Sequence, residues 1–281
     1  MSLFDTLVKQ VLESNRELTA LQPVVEKEIL HHDILREMAK AGFLRELTFI
    51  GGTCLRDCYG SPRLSEDLDF SGGNDFDPIK LKALKSSLEE SIAKRYGLEV
   101  SVSEPQRAEG DTKTWKVRII TRPEQPHFPS QRIHIDVCSV SSFVTQPVML
   151  RNHYGVDFGT SGLILYAETR EEIFADKLVA LALRPNRIKQ RDIWDILWLS
   201  QNAVKLRPDL VRKKLDERRV EYQDYLELLS ERIEQVRAGQ SDFLFEIRRF
   251  LPVQTVKESL ERSEYWSIVI STMQEIYSNL G

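Results

Sequence analysis

The sequence predicts an α/β (α+β) fold, in which a mixed β-sheet with covering helices is followed by an α-helical C-terminal part. Strand-like runs of alternating or β-branched residues, separated by Gly or Pro, end before residue 170. From Glu171 onward, apolar residues recur at helical spacing almost throughout. We therefore predict two domains, residues 1–169 and residues 170–281.

The composition is that of a globular protein long enough to bury a substantial core. Of the 281 residues, 41% are hydrophobic and 29% are charged, which is ordinary for this class. No window approaches 18 consecutive apolar residues, and the start of the chain lacks the basic and apolar regions of a signal peptide. These features predict a cytoplasmic protein with no membrane partner.

The three cysteines, Cys54, Cys58 and Cys138, are too few and odd in number for a disulfide framework. We expect reduced thiols in the core. A zinc site built from them and His134 would lack the paired cysteine spacing of a zinc ribbon, so we do not favour it.

The elements of the first part are predicted from the spacing of apolar residues and from the positions of Gly and Pro. Helical spacing predicts two or three helices between Leu3 and Ala41, with a break at Pro23. A strand near Thr48–Ile50, a short helix over Thr53–Tyr59 and a strand over Leu68–Phe70 come next. Together these last three elements form one hairpin-like unit.

A helix is then predicted from Asp77, a suitable N-cap before Pro78, through Arg95, with Gly97 as its stop. The remaining predicted strands are 98–103, 113–121, 132–140 and 163–166. The predicted C-terminal helices are 170–182, 191–200, 208–218, 222–237, 243–250 and 255–277, the last with a possible break.

A glycine pair, Gly51-Gly52, follows the first apolar strand and opens the helix that contains Thr53. Glycines allow the backbone to approach a polyanion closely, and the first turn of a helix presents unpaired N–H groups and a positive dipole end. Most glycine pairs only form turns. Here the pattern favours a phosphate-binding loop.

Two carboxylates, Asp67 and Asp69, alternate along the next strand and therefore share one face of the sheet, while Leu68 and Phe70 face the core. Many Asp-x-Asp pairs are solvated strand ends, but a pair on one face is also a ligand set that suits a hard cation such as Mg²⁺. Asp136 is a further carboxylate on a buried-looking strand, opposite in direction to Ile135. The neighbouring His134 is expected to be an ordinary sheet residue.

The order of these motifs is more specific than either motif alone. A glycine pair, a short helix and turn, and then Asp-x-Asp resemble the nucleotidyltransferase superfamily typified by DNA polymerase beta. The residues within and around these motifs are similar to those of the AbiEii/AbiGii family of bacterial nucleotidyltransferase toxins. The residues that carry this second resemblance are Gly51-Gly52-Thr53, Leu55-Arg56, Arg63, Ser65 and Asp67-Leu68-Asp69-Phe70.

The resemblance implies a polymerase-beta-like nucleotidyltransferase core with a third carboxylate on a strand next to the Asp-x-Asp pair. Asp67, Asp69 and Asp136 would then be catalytic residues that bind Mg²⁺ or Mn²⁺. The nucleotide-binding residues that it implies are Gly51, Gly52, Thr53, Arg63, Ser65 and Lys177.

Three of the matching side chains also have simpler interpretations. Ser65 could close a turn, or be modified by an antitoxin, instead of contacting phosphate. Arg63 could stack on a base or contact phosphate. For Arg56, one turn into the glycine-led helix, an exposed position is the simpler expectation.

The resemblance extends to the helical part, where the family has a lysine on one helix and Arg-Asp-x-x-Asp on the next. Lys177, Arg191-Asp192 and Asp195 match this pattern. By resemblance, Lys177 and Asp192 would be catalytic, with Lys177 neutralising phosphate charge and Asp192 orienting Lys177 or a substrate hydroxyl. An ordinary salt-bridged helix pair would give the same spacing.

The function that the resemblance implies is transfer of a nucleoside monophosphate from an NTP to an acceptor hydroxyl. Its implied partners are an NTP, a tRNA 3′ end or another RNA, and a cognate antitoxin. The stretch from Arg184 to Arg219 has 11 basic and five acidic residues, a net charge of +6, which is compatible with RNA but also with solvated helices. The alternatives are a nucleotidyltransferase acting on a small molecule or protein, and a non-catalytic RNA- or partner-binding module.

Overall fold

The computed structural model of the chain describes residues 2–105, 111–125 and 127–281. The chain divides into two compact units, Met1–Glu168 and Thr169–Gly281. The division falls one residue before the predicted boundary. The assignment of these units as two domains stays a prediction.

The first unit contains one mixed sheet, which within the described residues has seven strands. The strands are β1 (Thr48–Ile50), β2 (Leu68–Ser71), β3 (Glu99–Ser103), β4 (Thr112–Ile120), β5 (Gln131–Cys138), β6 (Thr145–Met149) and β7 (Ile164–Glu168). Their order across the sheet is β3-β4-β5-β2-β1-β7-β6. The pairs β2–β5 and β1–β7 are parallel and the others are antiparallel, so the predicted α+β class with a mixed sheet is confirmed.

The α-helices of the first unit are α1 (Leu3–Ser14), α2 (Gln22–Lys40), α3 (Gly51–Tyr59) and α4 (Leu84–Tyr96). Short 3₁₀ helices lie at Arg16–Leu21, Phe43–Arg45 and Pro78–Leu81. The expected break at Pro23 is the start of α2, since proline is tolerated in a first turn, where its missing N–H costs no bond.

The helix predicted from Asp77 to Arg95 is in fact two helices. The Asp77 side chain accepts from the N–H of Ile79 at 2.9 Å and caps a 3₁₀ turn, and α4 begins three residues after that turn ends. Leu81, at the end of the 3₁₀ helix, and Leu84, at the start of α4, are both buried.

The strand β6 escaped the sequence prediction because it lacks an apolar alternation and contains Pro147. It pairs with β7 alone, at one edge of the sheet, which is where a strand tolerates proline. The core strands follow the expected pattern, as in β5, where Ile133, Ile135 and Val137 are buried.

The second unit is helical, as predicted. Its helices are α5 (Arg170–Leu183), α6 (Gln190–Gln201), α7 (Pro208–Glu217), α8 (Tyr222–Ala238), α9 (Gln240–Ile247), α10 (Val253–Glu258) and α11 (Tyr265–Leu280). The last predicted helix is broken after α10, where Ser259 leaves helical geometry at φ −120° and ψ −78°. No helix in the described part of the chain is long and apolar enough to cross a membrane.

Candidate active site

The glycine turn and the second aspartate of the Asp-x-Asp pair are in direct proximity. Ile50, the last residue of β1, is paired with Asp69 of β2, so Gly51 begins α3 beside that carboxylate. Gly51 has φ +77°, and a Cβ added there would lie 2.7 Å from Asp69 Oδ2. Both the backbone conformation and the close approach therefore require glycine.

The three predicted metal-binding aspartates lie on neighbouring parts of one sheet face. Asp69 is paired with Asp136 across the parallel β2–β5 ladder, and Asp67 precedes Asp69 by two residues, which keeps it on the same face. Adjacent strands are about 4.8 Å apart, so this register sets Asp69 and Asp136 side by side on neighbouring strands. All three side chains are partly exposed, as a substrate site requires.

Two of these carboxylates have one oxygen held by a neighbouring strand. Asp67 Oδ1 accepts from the backbone N–H of His134 at 3.0 Å and lies 3.3 Å from His134 Nδ1. Asp136 Oδ1 accepts from the hydroxyl of Thr114 at 2.6 Å. Sequence reasoning missed Thr114, and the signal that finds it is the β4–β5 register, which pairs Thr114 with Asp136.

The hydroxyls of Thr53 and Ser65 contact each other and not the solvent. Thr53 Oγ1 lies 2.6 Å from Ser65 Oγ and also donates to the backbone carbonyl of Asp67. Both residues are buried. These contacts connect α3 to the segment that leads into β2, while the proposed contacts of Thr53 and Ser65 with nucleotide stay predictions.

The expectation that Arg56 is exposed is wrong. Its side chain is 6% exposed, and its guanidinium forms an ion pair of 3.2 Å with Glu28 of α2. Glu28 also accepts from the N–H of Ser65 at 2.9 Å and from the Tyr154 hydroxyl. Burial would raise the pKa of Glu28, but Arg56, Tyr154 and the Ser65 N–H outweigh it and lower the pKa. The partner that buries Arg56 is 28 positions away, which local sequence does not reveal.

Arg63 is likewise inside the fold. Its side chain is 2% exposed, and its Nη1 donates to the carbonyl of Leu64 at 3.0 Å. The guanidinium thus stabilises the turn that precedes β2. Its predicted contact with nucleotide stays a prediction.

The predicted residues of the helical unit form a cluster of their own. Lys177 Nζ lies 2.7 Å from Asp192 Oδ1 and 2.9 Å from Asp195 Oδ2, and Arg184 Nη1 lies 2.6 Å from Asp192 Oδ2. Burial would raise the pKa of Asp192, but Lys177 and Arg184 lower it strongly, so the carboxylate is ionised. Asp195, which was not among the predicted catalytic residues, contacts Lys177 almost as closely.

The basic stretch of the helical unit is partly neutralised within the fold. Arg184 pairs with Asp192, Arg207 pairs with Asp209 at 2.6 Å, and the Arg212 guanidinium packs on the Tyr222 ring. Lys214 is fully buried and lies 2.6 Å from Glu172 Oε1 and 3.1 Å from Asp176 Oδ2. The net charge of this stretch therefore overstates the charge available to an RNA.

The donor set on the sheet fits a hard divalent cation. Mg²⁺ and Mn²⁺ prefer carboxylate oxygens, and Asp67, Asp69 and Asp136 offer such oxygens on one face of the sheet. Gly51 keeps the space beside Asp69 Oδ2 clear of a side chain. The three cysteines are free thiols; Cys54 and Cys58 are buried as expected, whereas Cys138 is only partly buried.

Comparison with known proteins was consistent with this geometry. The family model described as nucleotidyl transferase AbiEii toxin, type IV TA system, matches residues 33–263. The fold is similar to that of MenT4, a nucleotidyltransferase toxin from Mycobacterium tuberculosis H37Rv, with 16% identity, a TM-score of 0.54 and coverage of 99% of this chain and 88% of that one. A solved Helicobacter pylori protein is also similar, with 16% identity, a TM-score of 0.51 and coverage of 90% and 96%. No curated protein sequence matches this chain.

Proposed function

This chain belongs to the AbiEii family of nucleotidyltransferase toxins, and from that membership we propose a metal-dependent transfer of a nucleoside monophosphate from an NTP to an acceptor hydroxyl, with release of pyrophosphate. The observation that carries the proposal is the pairing of Asp69 with both Ile50, which precedes the glycine turn, and Asp136. This pairing supports a single site, in which the glycine turn would bind phosphate beside the carboxylates.

Asp67, Asp69 and Asp136 would hold Mg²⁺ or Mn²⁺. A bound ion supplies positive charge that polarises the reacting phosphoryl group. Asp136, on the strand beside the Asp-x-Asp pair, is also the group that we propose accepts the proton of the attacking hydroxyl. Its Oδ1 already accepts from Thr114, so Oδ2 is the oxygen assigned to this task.

The glycine turn would bind the triphosphate through the backbone. Gly51, Gly52 and Thr53 form the first turn of α3, whose N–H groups have no partner within the helix. Ser65 and Arg63 lie in the segment that approaches β2, and we propose that they support the phosphates from that side.

In the helical unit, Lys177 would neutralise charge that develops on the phosphates, and Asp192 would orient it. The support for this role is the ion pair of 2.7 Å between the two side chains, together with the family resemblance. Asp195 contributes to the same orientation, since it holds the other side of the ammonium group.

We propose that the acceptor is the 3′ end of a tRNA, that the consequence is growth arrest, and that a cognate antitoxin relieves it. The support is the family description as a toxin of a type IV TA system and the basic stretch between Arg184 and Arg219. The proposed place of action is the cytoplasm, where NTPs and tRNA occur together.

The test is to incubate the protein with each α-labelled NTP, total RNA and Mg²⁺, and to separate RNA, protein and small molecules. We expect label in a band of tRNA size, and none with Asp69→Asn or with excess chelator. Label on a small hydroxylated compound or on a protein would replace the tRNA proposal. Growth arrest by Asp69→Asn equal to that by the parent, with no transfer to any acceptor, would indicate a non-catalytic module.

A further inference from the structure

Thr114 lies opposite the third carboxylate of the site. It belongs to β4 and is the register partner of Asp136 in the antiparallel β4–β5 pair, so both side chains project from the same face of the sheet. Its Oγ1 is 2.6 Å from Asp136 Oδ1. Because an ionised carboxylate only accepts hydrogen bonds, the threonine hydroxyl is the donor.

The length of this bond is characteristic of a hydroxyl bonded to a charged carboxylate. Thr114 is β-branched and therefore restricted at χ1, and it lies on a paired strand, which adds to the rigidity of the donor. The bond therefore limits the rotation of the Asp136 carboxylate. Among the residues that the structure describes, Asp136 Oδ2 has no such partner.

Asp67 is held in a comparable way from β5. Its Oδ1 accepts from the backbone N–H of His134, whereas Asp136 depends on a side chain that a substitution can remove. A substitution can therefore remove the hydroxyl donor to Asp136, whereas it cannot remove the backbone donor to Asp67.

We propose that Thr114 is a positioning residue for Asp136. By occupying Oδ1 of Asp136, the Thr114 hydroxyl presents Oδ2 to the metal ion and to the attacking hydroxyl. This inference rests on the proposed function, because Asp136 needs a fixed orientation only if it acts on a metal ion or a proton. Partners of metal-binding carboxylates affect metal affinity or activity by about 10- to 100-fold when they are removed.

The central variant is Thr114→Val, which keeps the shape and β-propensity of threonine and removes only the donor. Thr114→Ser keeps the hydroxyl. The matched control is Thr112→Val, the same chemical change on the same strand and face, but opposite Cys138 and exposed. Melting temperatures establish that each variant is folded. If Thr114→Val melts too low, Thr114→Ala takes its place, since it differs from Thr114→Ser by one oxygen.

Two quantities are measured: the dissociation constant of Mn²⁺, by electron paramagnetic resonance without substrate, and kcat and KM for the NTP as a function of Mn²⁺. For Thr114→Val we expect a roughly 10-fold weaker Mn²⁺ affinity and a roughly 10-fold lower kcat with little change in KM. Thr114→Ser should regain most of both, and Thr112→Val should match the parent.

The inference is overturned if Thr114→Val matches Thr112→Val in Mn²⁺ affinity and kcat while Asp69→Asn is inactive. It is also overturned if Thr114→Ser is as impaired as Thr114→Val, because a hydroxyl at this position would then not be enough to restore function. An active Asp69→Asn would instead contradict the proposed function itself, so the two failures are distinguishable.

Discussion

Glu28 Oε1 accepts the backbone N–H of Ser65 at 2.9 Å, a bond that joins positions 37 residues apart in the sequence. Ser65 lies two residues before Asp67, and Glu28 also forms an ion pair with Arg56 of the glycine-led helix. One buried carboxylate on α2 therefore stabilises both segments that form the candidate site.

Replacing Glu28 tests this arrangement. Glu28→Gln leaves the Arg56 guanidinium buried without a counter-charge, and we expect a loss of about 3–5 kcal/mol in the free energy of unfolding, measured with urea. The double variant Glu28→Gln/Arg56→Gln should recover part of the loss. As a control, Glu46→Gln removes half of an exposed pair with Lys80 and should cost less than about 1 kcal/mol. A Glu28→Gln protein as stable as the Glu46→Gln protein would contradict the prediction.

Two buried histidines and one half-buried histidine of the first unit predict a loss of stability in acid. Burial lowers the pKa of His31, lowers that of His32 to about 3 and lowers that of His153 to about 4. An unfolded histidine titrates near pH 6.5, so between about pH 6.5 and 4 the unfolded chain binds more protons than the folded one. The stability that these groups contribute is present above about pH 6.5 and is lost as the pH falls toward their folded pKa values.

His32→Gln removes one of these histidines. Its effect on the pH dependence can therefore be distinguished from that of the carboxylates that titrate in the same pH range. Its free energy of unfolding should fall less steeply than that of the parent between pH 6 and 4.5, by up to about 1.4 kcal/mol per pH unit. The exposed His127→Gln serves as the control for the loss of a histidine at the surface. Equal slopes for His32→Gln and the parent in urea unfolding at each pH would refute the assignment.

Comparison of Gly51→Ala with Gly162→Ala distinguishes the cost of backbone strain from the effect on the candidate site. Gly51 and Gly162 have nearly the same φ, +77° and +76°, but a Cβ at Gly162 meets nothing within 4 Å while one at Gly51 meets Asp69 Oδ2. Both alanine variants should lose about 1–2 kcal/mol of stability from the left-handed backbone. Only Gly51→Ala should also lose nucleotidyl transfer. Equal transfer rates for the two folded variants would show that the close approach is unimportant.

Lys177→Met removes the charge that Asp192 and Asp195 orient. Removing one preorganised donor to a developing charge lowers kcat by about 10²–10³-fold, and we expect a decrease of this size in steady-state transfer. Lys257→Met, which replaces an exposed lysine of the same unit outside the basic stretch, should leave kcat unchanged. A Lys177→Met protein that folds and retains the kcat of the Lys257→Met control would exclude Lys177 from the reaction.

The parts of the site that the sequence predicted are those whose chemistry is local. The glycine turn at Gly51 and the alternation of Asp67 and Asp69 depend on neighbours within a few residues, and the structure has them as expected. The burial of Arg56 and the bond from Thr114 depend on partners brought close by sheet register and helix packing. No local pattern encodes those partners.

The contacts of Asp192 and Asp195 in the helical unit show the same limit of local sequence information. The spacing of Asp192 and Asp195 predicted a shared helix face, and both contact Lys177. Asp192 also pairs with Arg184, which lies in the loop between α5 and α6. The spacing of apolar residues does not predict the conformation of that loop.

The position of β1 within the sheet has a consequence for synthesis on the ribosome. This three-residue strand carries the start of the glycine turn, and it is flanked by β2 on one side and by β7, residues 164–168, on the other. Every predicted metal ligand has been translated by residue 136, yet β1 keeps an unpaired edge until β7 emerges, about 30 residues later. The nascent chain therefore contains all three predicted metal ligands before the strand that completes the sheet beside β1 has been made.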